Sequence, residues 1–146
     1  MFQFNLQALL DARQSNEERK QRELAEALRD LEVQADLLAG IQERRRQMIT
    51  EYYDLEGQSV KGVRLALYSE NIAMYREREV VQQENCRQAE RIVEERRLAL
   101  IEAAKQRKII EKFKEKKSVE YLQELNRKEH KELDEAAILR YGGNPL

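Results

Sequence analysis

The sequence predicts an all-α fold: a long antiparallel two-helix coiled-coil hairpin whose second helix is longer and overhangs the first. Three observations predict it. Only one proline occurs, Pro145, so no residue upstream of it forces a break that would cost about 3 kcal/mol in a helix interior. Charged residues make up 38% of the chain, yet 27 basic and 28 acidic side chains nearly cancel, the balance of solvated, ion-paired helix faces. Apolar residues recur at alternating spacings of three and four, and no β-branched run alternates with period two as a strand requires.

The first helix is expected over about residues 5–56. Asn5 is the expected N-cap, its side chain accepting from a first-turn amide. The seam reads Leu24, Leu28, Leu31, Ala35, Leu38 and Ile41, then passes Arg45 to reach Met48, Tyr52 and Leu55. A mean period near 3.5 marks a left-handed supercoil. Traced backwards, the seam meets Lys20, Glu17 and Arg13 before Leu10 and Leu6, so its early part is polar and is expected to be looser.

A loop is expected over about residues 57–62, where Gly57 and Gly62 bracket Ser59. Gly57 is the candidate left-handed helix end and Ser59 the next cap. So short a connection makes the two helices antiparallel neighbours.

The second helix is expected over about residues 63–141. Its seam runs through Leu65, Tyr68, Ile72, Tyr75, Cys86, Ala89, Val93, Leu100, Ala103, Ile110 and Tyr121, interrupted by Glu79, Gln82, Arg96 and Arg107. The stretch from Gly142 to Pro145 stops it. Folding back at the loop places Leu38 near Val81, Leu31 near Ala89 and Leu6 near Phe113. Beyond about Val119 the second helix then lacks a partner within the chain over a length on the order of 30 Å. That stretch carries Leu122, Leu125, Leu133, Ala136 and Ala137, a stripe that reads as a binding face. The whole chain, residues 1–146, is read as a single coiled-coil hairpin domain.

Little in the sequence points to chemistry. His130 stands alone among Lys128, Glu129, Lys131 and Glu132, with no second His or Cys nearby to complete a metal or catalytic set. Cys86, the single cysteine, falls on the seam as a small buried residue and fits a reducing compartment. The five glycines fit no phosphate-binding loop. A thin hairpin also offers no water-excluding pocket. The reading is therefore no enzyme, with no catalytic residue, cofactor or metal. The opening residues lack a basic, then apolar, secretory pattern, and apolar runs fall far short of the about 20 residues a membrane span needs. The expected location is the cytosol.

Two surface features carry weight. From Lys105 to Lys117 seven positive side chains face two negative ones, which suits an acidic protein surface or RNA, although Phe113 is the sole aromatic within the run. Near the loop, Tyr52 and Tyr53 are expected to meet Tyr68 and Tyr75.

The ends of the chain then resemble a known family. Phe2-Gln3-Phe4-Asn5-Leu6-Gln7-Ala8-Leu9-Leu10-Asp11-Ala12-Arg13 is similar to the F-x-F-x-L-x-x-L-L-x-x-R opening of the FliJ family. Tyr121 to Arg140, with Glu124, Arg127 and the Leu133-Asp134-Glu135-Ala136-Ala137 run, is similar to that family's closing helix. The loop position, followed by Leu65 and Tyr68, agrees as well. The resemblance implies a non-enzymatic central stalk of the flagellar type III protein export apparatus, similar in build to the gamma subunit of F-type ATPases. It implies three partners: the hexameric flagellar export ATPase, the membrane-embedded export gate, and export chaperones. The ATPase would meet the terminal end, here Phe2, Phe4, Leu6, Leu9, Leu10, Arg13, Leu133, Asp134, Ala137 and Arg140. The gate would meet Tyr68, Ile72 and Tyr75. Location would be cytoplasmic and peripheral at the inner membrane, held through the apparatus, with no direct membrane insertion and no nucleic acid. The alternatives are the equivalent stalk of a non-flagellar type III secretion system, an RNA-binding helical arm, a rotor subunit of a rotary ATPase, and a passive coiled-coil spacer.

Overall fold

A computed structural model describes residues 2–57 and 62–142. Two helices account for nearly all of them, α1 (Gln7–Glu56) and α2 (Gly62–Gly142), and no strand occurs among the described residues. The two helices pack against each other as a helical hairpin. The expected turn at Gln58, Ser59, Val60 and Lys61, and the stop at Gly143, Asn144 and Pro145, lie outside the described residues.

α1 starts later than expected. The Phe4 carbonyl accepts from the Gln7 amide at 3.1 Å, and the first helical bond runs from the Leu10 amide to the Leu6 carbonyl at 2.9 Å. Leu6 thus holds the cap position and Asn5 lies in the preceding turn, because the Phe4–Gln7 turn sets where the helix can begin. At the other end Gly57 follows α1 without a positive φ, so the expected left-handed reversal is not at this residue.

The chain forms two compact units. The first joins residues 1–18 to residues 102–146. Within it the helices run antiparallel: Gln7 accepts from Lys114 at 2.7 Å, and farther along α1, Arg13 donates to Gln106, earlier in α2, at 2.5 Å. Leu10 and Ala103, each 3% exposed, are its core.

The second unit spans residues 19–101. Gln34 meets Gln82 while Arg45 meets Glu79, so here too the helices are antiparallel, in the register that placed Leu31 near Ala89 and Leu38 near Val81. Val81 itself is exposed, and its neighbour Gln82 occupies the seam.

Burial along α1 follows a strict three-four alternation through residues 20, 24, 27, 31, 34, 38, 41, 45, 48, 52 and 55. This corrects two expected seam positions. Leu28, 46% exposed, and Ala35 lie outside, and Ala27 and Gln34 take their places. Both series keep spacings of three and four, so spacing alone does not choose between adjacent positions, and the larger Leu28 does not displace Ala27 from the seam.

Several polar seam residues bond across the pair, although the buried Arg45 Nε has no hydrogen-bond partner among the described residues. Gln82, 7% exposed, donates its amide to both the backbone carbonyl (2.9 Å) and the side-chain oxygen (2.8 Å) of Gln34, and accepts from Asn85. Glu79 receives Arg45 at 3.1 Å and Gln42 at 3.1 Å. In the first unit Glu17 and Glu111 both hold Arg107, which keeps its guanidinium above the usual arginine range, chiefly through the hydrogen bond it donates to Glu17. The polar stretch expected to be loose is therefore bonded: Arg13 and Glu17 reach α2, and Lys20 pairs with Glu23 at 3.2 Å.

The tyrosines arrange differently from expectation. The Tyr52 and Tyr53 rings meet each other edge to face at 5.8 Å, and neither forms a ring contact with Tyr68 or Tyr75 among the described residues. Tyr53 is one position off the seam and turns to solvent. Glu56, one turn on from Tyr52, raises the Tyr52 hydroxyl above its usual range, first by its charge and then by accepting a hydrogen bond. Tyr75 instead packs under Arg78, whose guanidinium carbon lies 5.3 Å from the ring centre.

Candidate partner-binding site

In the first unit the segment before α1 closes onto α2 through aromatic rings. Phe2 meets Tyr121 with ring centres 5.5 Å apart, and Phe4 meets Phe113 at 6.1 Å. Tilted rings at these separations add about 0.5–1.5 kcal/mol per pair beyond their buried area. The rings leave between them an open recess of about 640 Å³, walled by Phe2, Phe4, Leu6, Phe113 and Tyr121 with Lys117, Glu120 and Glu124 at its rim. Leu6 and Phe113 share a second, shallower recess with Ile109 and Ile110, which agrees with their expected proximity.

Beyond Tyr121 every described residue of α2 is exposed. Leu122, Leu125, Leu133 and Ala136 cluster on a face turned roughly a quarter turn from the seam, at about 100° per residue. Leu133 is 66% exposed and Leu139 76%. Glu124 and Arg127 pair on this segment, and the hydrogen bond from Arg127, ahead of its charge, lowers the Glu124 carboxyl below the usual carboxylate value.

The predicted terminal-end residues divide by these facts. Leu6, Leu9, Leu133, Asp134, Ala137 and Arg140 are exposed. Phe2 and Phe4 are half-buried in the aromatic clasp. Leu10 is buried in the seam, and Arg13 is half-buried and bonded to Gln106, so both hold the helices together beneath the exposed surface. The residues expected to meet the gate behave alike: Ile72 is buried at 9% exposure, and Tyr68 and Tyr75 are half-buried. Sequence reasoning did not assign Phe113, Lys117 and Tyr121 to the recess. The eight-residue spacing of Phe113 and Tyr121 opposite the Phe2-Gln3-Phe4 opening was the available signal.

His130 is exposed, and no group of three or more His, Cys, Asp or Glu side chains that could hold a metal occurs among the described residues. No helix among the described residues is long and apolar enough to cross a membrane. No curated protein and no solved structure matches the chain. The family described as flagellar FliJ protein matches residues 2–145. The match takes in the aromatic clasp, both helices and the exposed end of α2, and the chain belongs to this family of flagellar type III export components.

Proposed function

We propose that the chain is the non-enzymatic central stalk of the flagellar type III export apparatus. It binds the hexameric export ATPase through its terminal end and links that ring to the export gate and to chaperones at the cytoplasmic face of the membrane. The observation that carries this reading is the exposed apolar stripe of α2 beyond Tyr121, beside the open aromatic recess. A stripe of this kind on an otherwise charged helix marks a protein contact. Leu6, Leu9, Leu133, Asp134, Ala137 and Arg140 form the contact, Phe2 and Phe4 shape the recess, and Leu10 and Arg13 position them. Around Tyr68 and Tyr75 the partner is the gate, with Ile72 supporting both from the seam.

The test is ATP hydrolysis by the cognate export ATPase with and without the chain, alongside ring assembly followed by light scattering. Stimulated hydrolysis with assembly is the expected result, lost in the Leu9→Asp/Leu133→Asp variant. Both substitutions lie on exposed positions and leave the seam intact, whereas Leu10→Asp would also unfold it. Unchanged stimulation by the double variant removes the terminal end from the interface, and no stimulation by the wild-type chain removes the stalk reading.

A further inference from the structure

On the side of α2 opposite the seam, the first unit carries Lys105, Lys108, Lys112 and Lys116, all exposed. None of the four makes an ion pair or hydrogen bond among the described residues, while the basic residues that face α1, Arg107 and Lys114, are both engaged. At about 100° per residue the four lysines fall within an arc of about 80°, spread over about 16 Å of helix. Ile109, 65% exposed, and Val119, 48% exposed, lie in or beside the same arc. Glu115 and Glu120 share one recess with Lys112, Lys116 and Val119 and partly offset the charge at that end of the face.

From this juxtaposition we infer that the outer face of α2 between Lys105 and Val119 docks on an anionic phospholipid surface. Three observations select this occupant. The cations are all lysines, flexible and strongly hydrated point charges that suit a diffuse field of headgroup phosphates, whereas protein interfaces are depleted in lysine. The exposed Ile109 and Val119 interleave with them, the pattern of a basic interfacial helix whose apolar side chains dip below the headgroups while lysine stems extend outward. The aromatic beside the arc, Phe113, borders a recess with Lys112 and Lys116 but is engaged by Phe4 and by Lys117, so the face lacks the succession of stacking rings that single-stranded nucleic acid uses. The contact is peripheral and electrostatic, and it needs no spanning segment.

Each lysine near an anionic bilayer strengthens binding roughly fivefold, so four together contribute on the order of several hundredfold at low salt. The experiment is cosedimentation of the full chain with phosphatidylglycerol-rich vesicles and with pure phosphatidylcholine vesicles, across a salt series. The expected result is binding to the anionic vesicles alone, lost at high salt and lost in the K105Q/K108Q/K112Q/K116Q variant, whose helicity by circular dichroism is unchanged. An Ile109→Ser/Val119→Ser variant should keep its salt dependence and bind several-fold more weakly. No binding by the wild-type chain overturns the inference, as does equal binding by the lysine variant. So does a lysine-dependent shift of a single-stranded RNA without vesicle binding, which would assign the face to nucleic acid, and so does lysine-dependent capture by an acidic polypeptide without vesicle binding.

Discussion

Replacing Gln82 separates the two contributions of a polar seam position, hydrogen bonding and packing. Its side-chain amide donates twice to Gln34, at 2.9 and 2.8 Å, from a site only 7% exposed. Gln82→Ala removes both bonds, each worth about 1 kcal/mol net, together with part of the buried stem, for a total loss of about 2–3 kcal/mol. Gln82→Leu also removes both bonds but fills the seam with an apolar side chain of similar size. Gln34 is half-buried, so its side-chain oxygen can turn to water and avoid the full penalty of an unsatisfied group. The leucine variant should therefore fall within about 1 kcal/mol of wild type, on either side. Urea unfolding followed by circular dichroism at fixed protein concentration measures both. If leucine destabilises as much as alanine, the bonds to Gln34 outweigh packing and the reasoning fails. If alanine costs nothing, the layer is not formed in solution.

Other substitutions probe the remaining features. Arg107→Ala leaves Glu17 and Glu111 without their shared cation, and thermal melts should show a lowered midpoint, while Arg107→Met recovers part of it through packing. Gly40 lies inside α1 with open space where a side chain would project, so Gly40→Ala should stabilise by about 1 kcal/mol in the same melts. Ala27→Asp should unfold the second unit far more readily than Leu28→Asp, with urea midpoints as the readout, because burial belongs to residue 27. The Glu124 carboxyl is held below its usual value by Arg127, so its contribution is complete above the ordinary carboxylate range and is lost as pH falls through the lowered value. Carboxyl NMR titration should place its midpoint below the ordinary carboxylate range, and Arg127→Gln should return it to that range.

Much of the architecture was legible because heptad spacing is a direct record of which side chains face the other helix. Most of the α2 seam from Leu65 to Tyr121 was read in place, including Glu79, Gln82 and Arg107 as polar interruptions, but Arg96, expected among them, is exposed, and Lys114, which faces α1, was not assigned to it. The α1 seam was misread at Leu28 and Ala35, because spacings of three and four fit either of two adjacent positions there and do not say which of residues 27 and 28, or 34 and 35, faces α2. The partners of the polar interruptions were not legible. The bonds of Gln34 to Gln82 and of Glu17 to Arg107 depend on side-chain reach across two helices, which spacing along one helix does not encode. The Asn5 cap failed for a local reason, since the Phe4–Gln7 turn moved the helix start by one residue. At the terminal end, the exposed stripe was visible in the sequence, but the aromatic clasp was not, because Phe2 and Phe4 precede the helix and carry no periodicity.

The quarter-turn offset between the seam and the stripe beyond Tyr121 has a mechanical consequence. A ligand seated on Leu122, Leu125 and Leu133 does not push along the line on which the two helices meet. It pushes beside that line, at a lever arm of about one helix radius, roughly 5 Å. A sideways load there has a moment about the helix axis and tends to twist α2 against its aromatic anchor at Phe2 and Tyr121. Shifting the stripe by a single inserted residue would change the direction of that torque while leaving its apolar area unchanged.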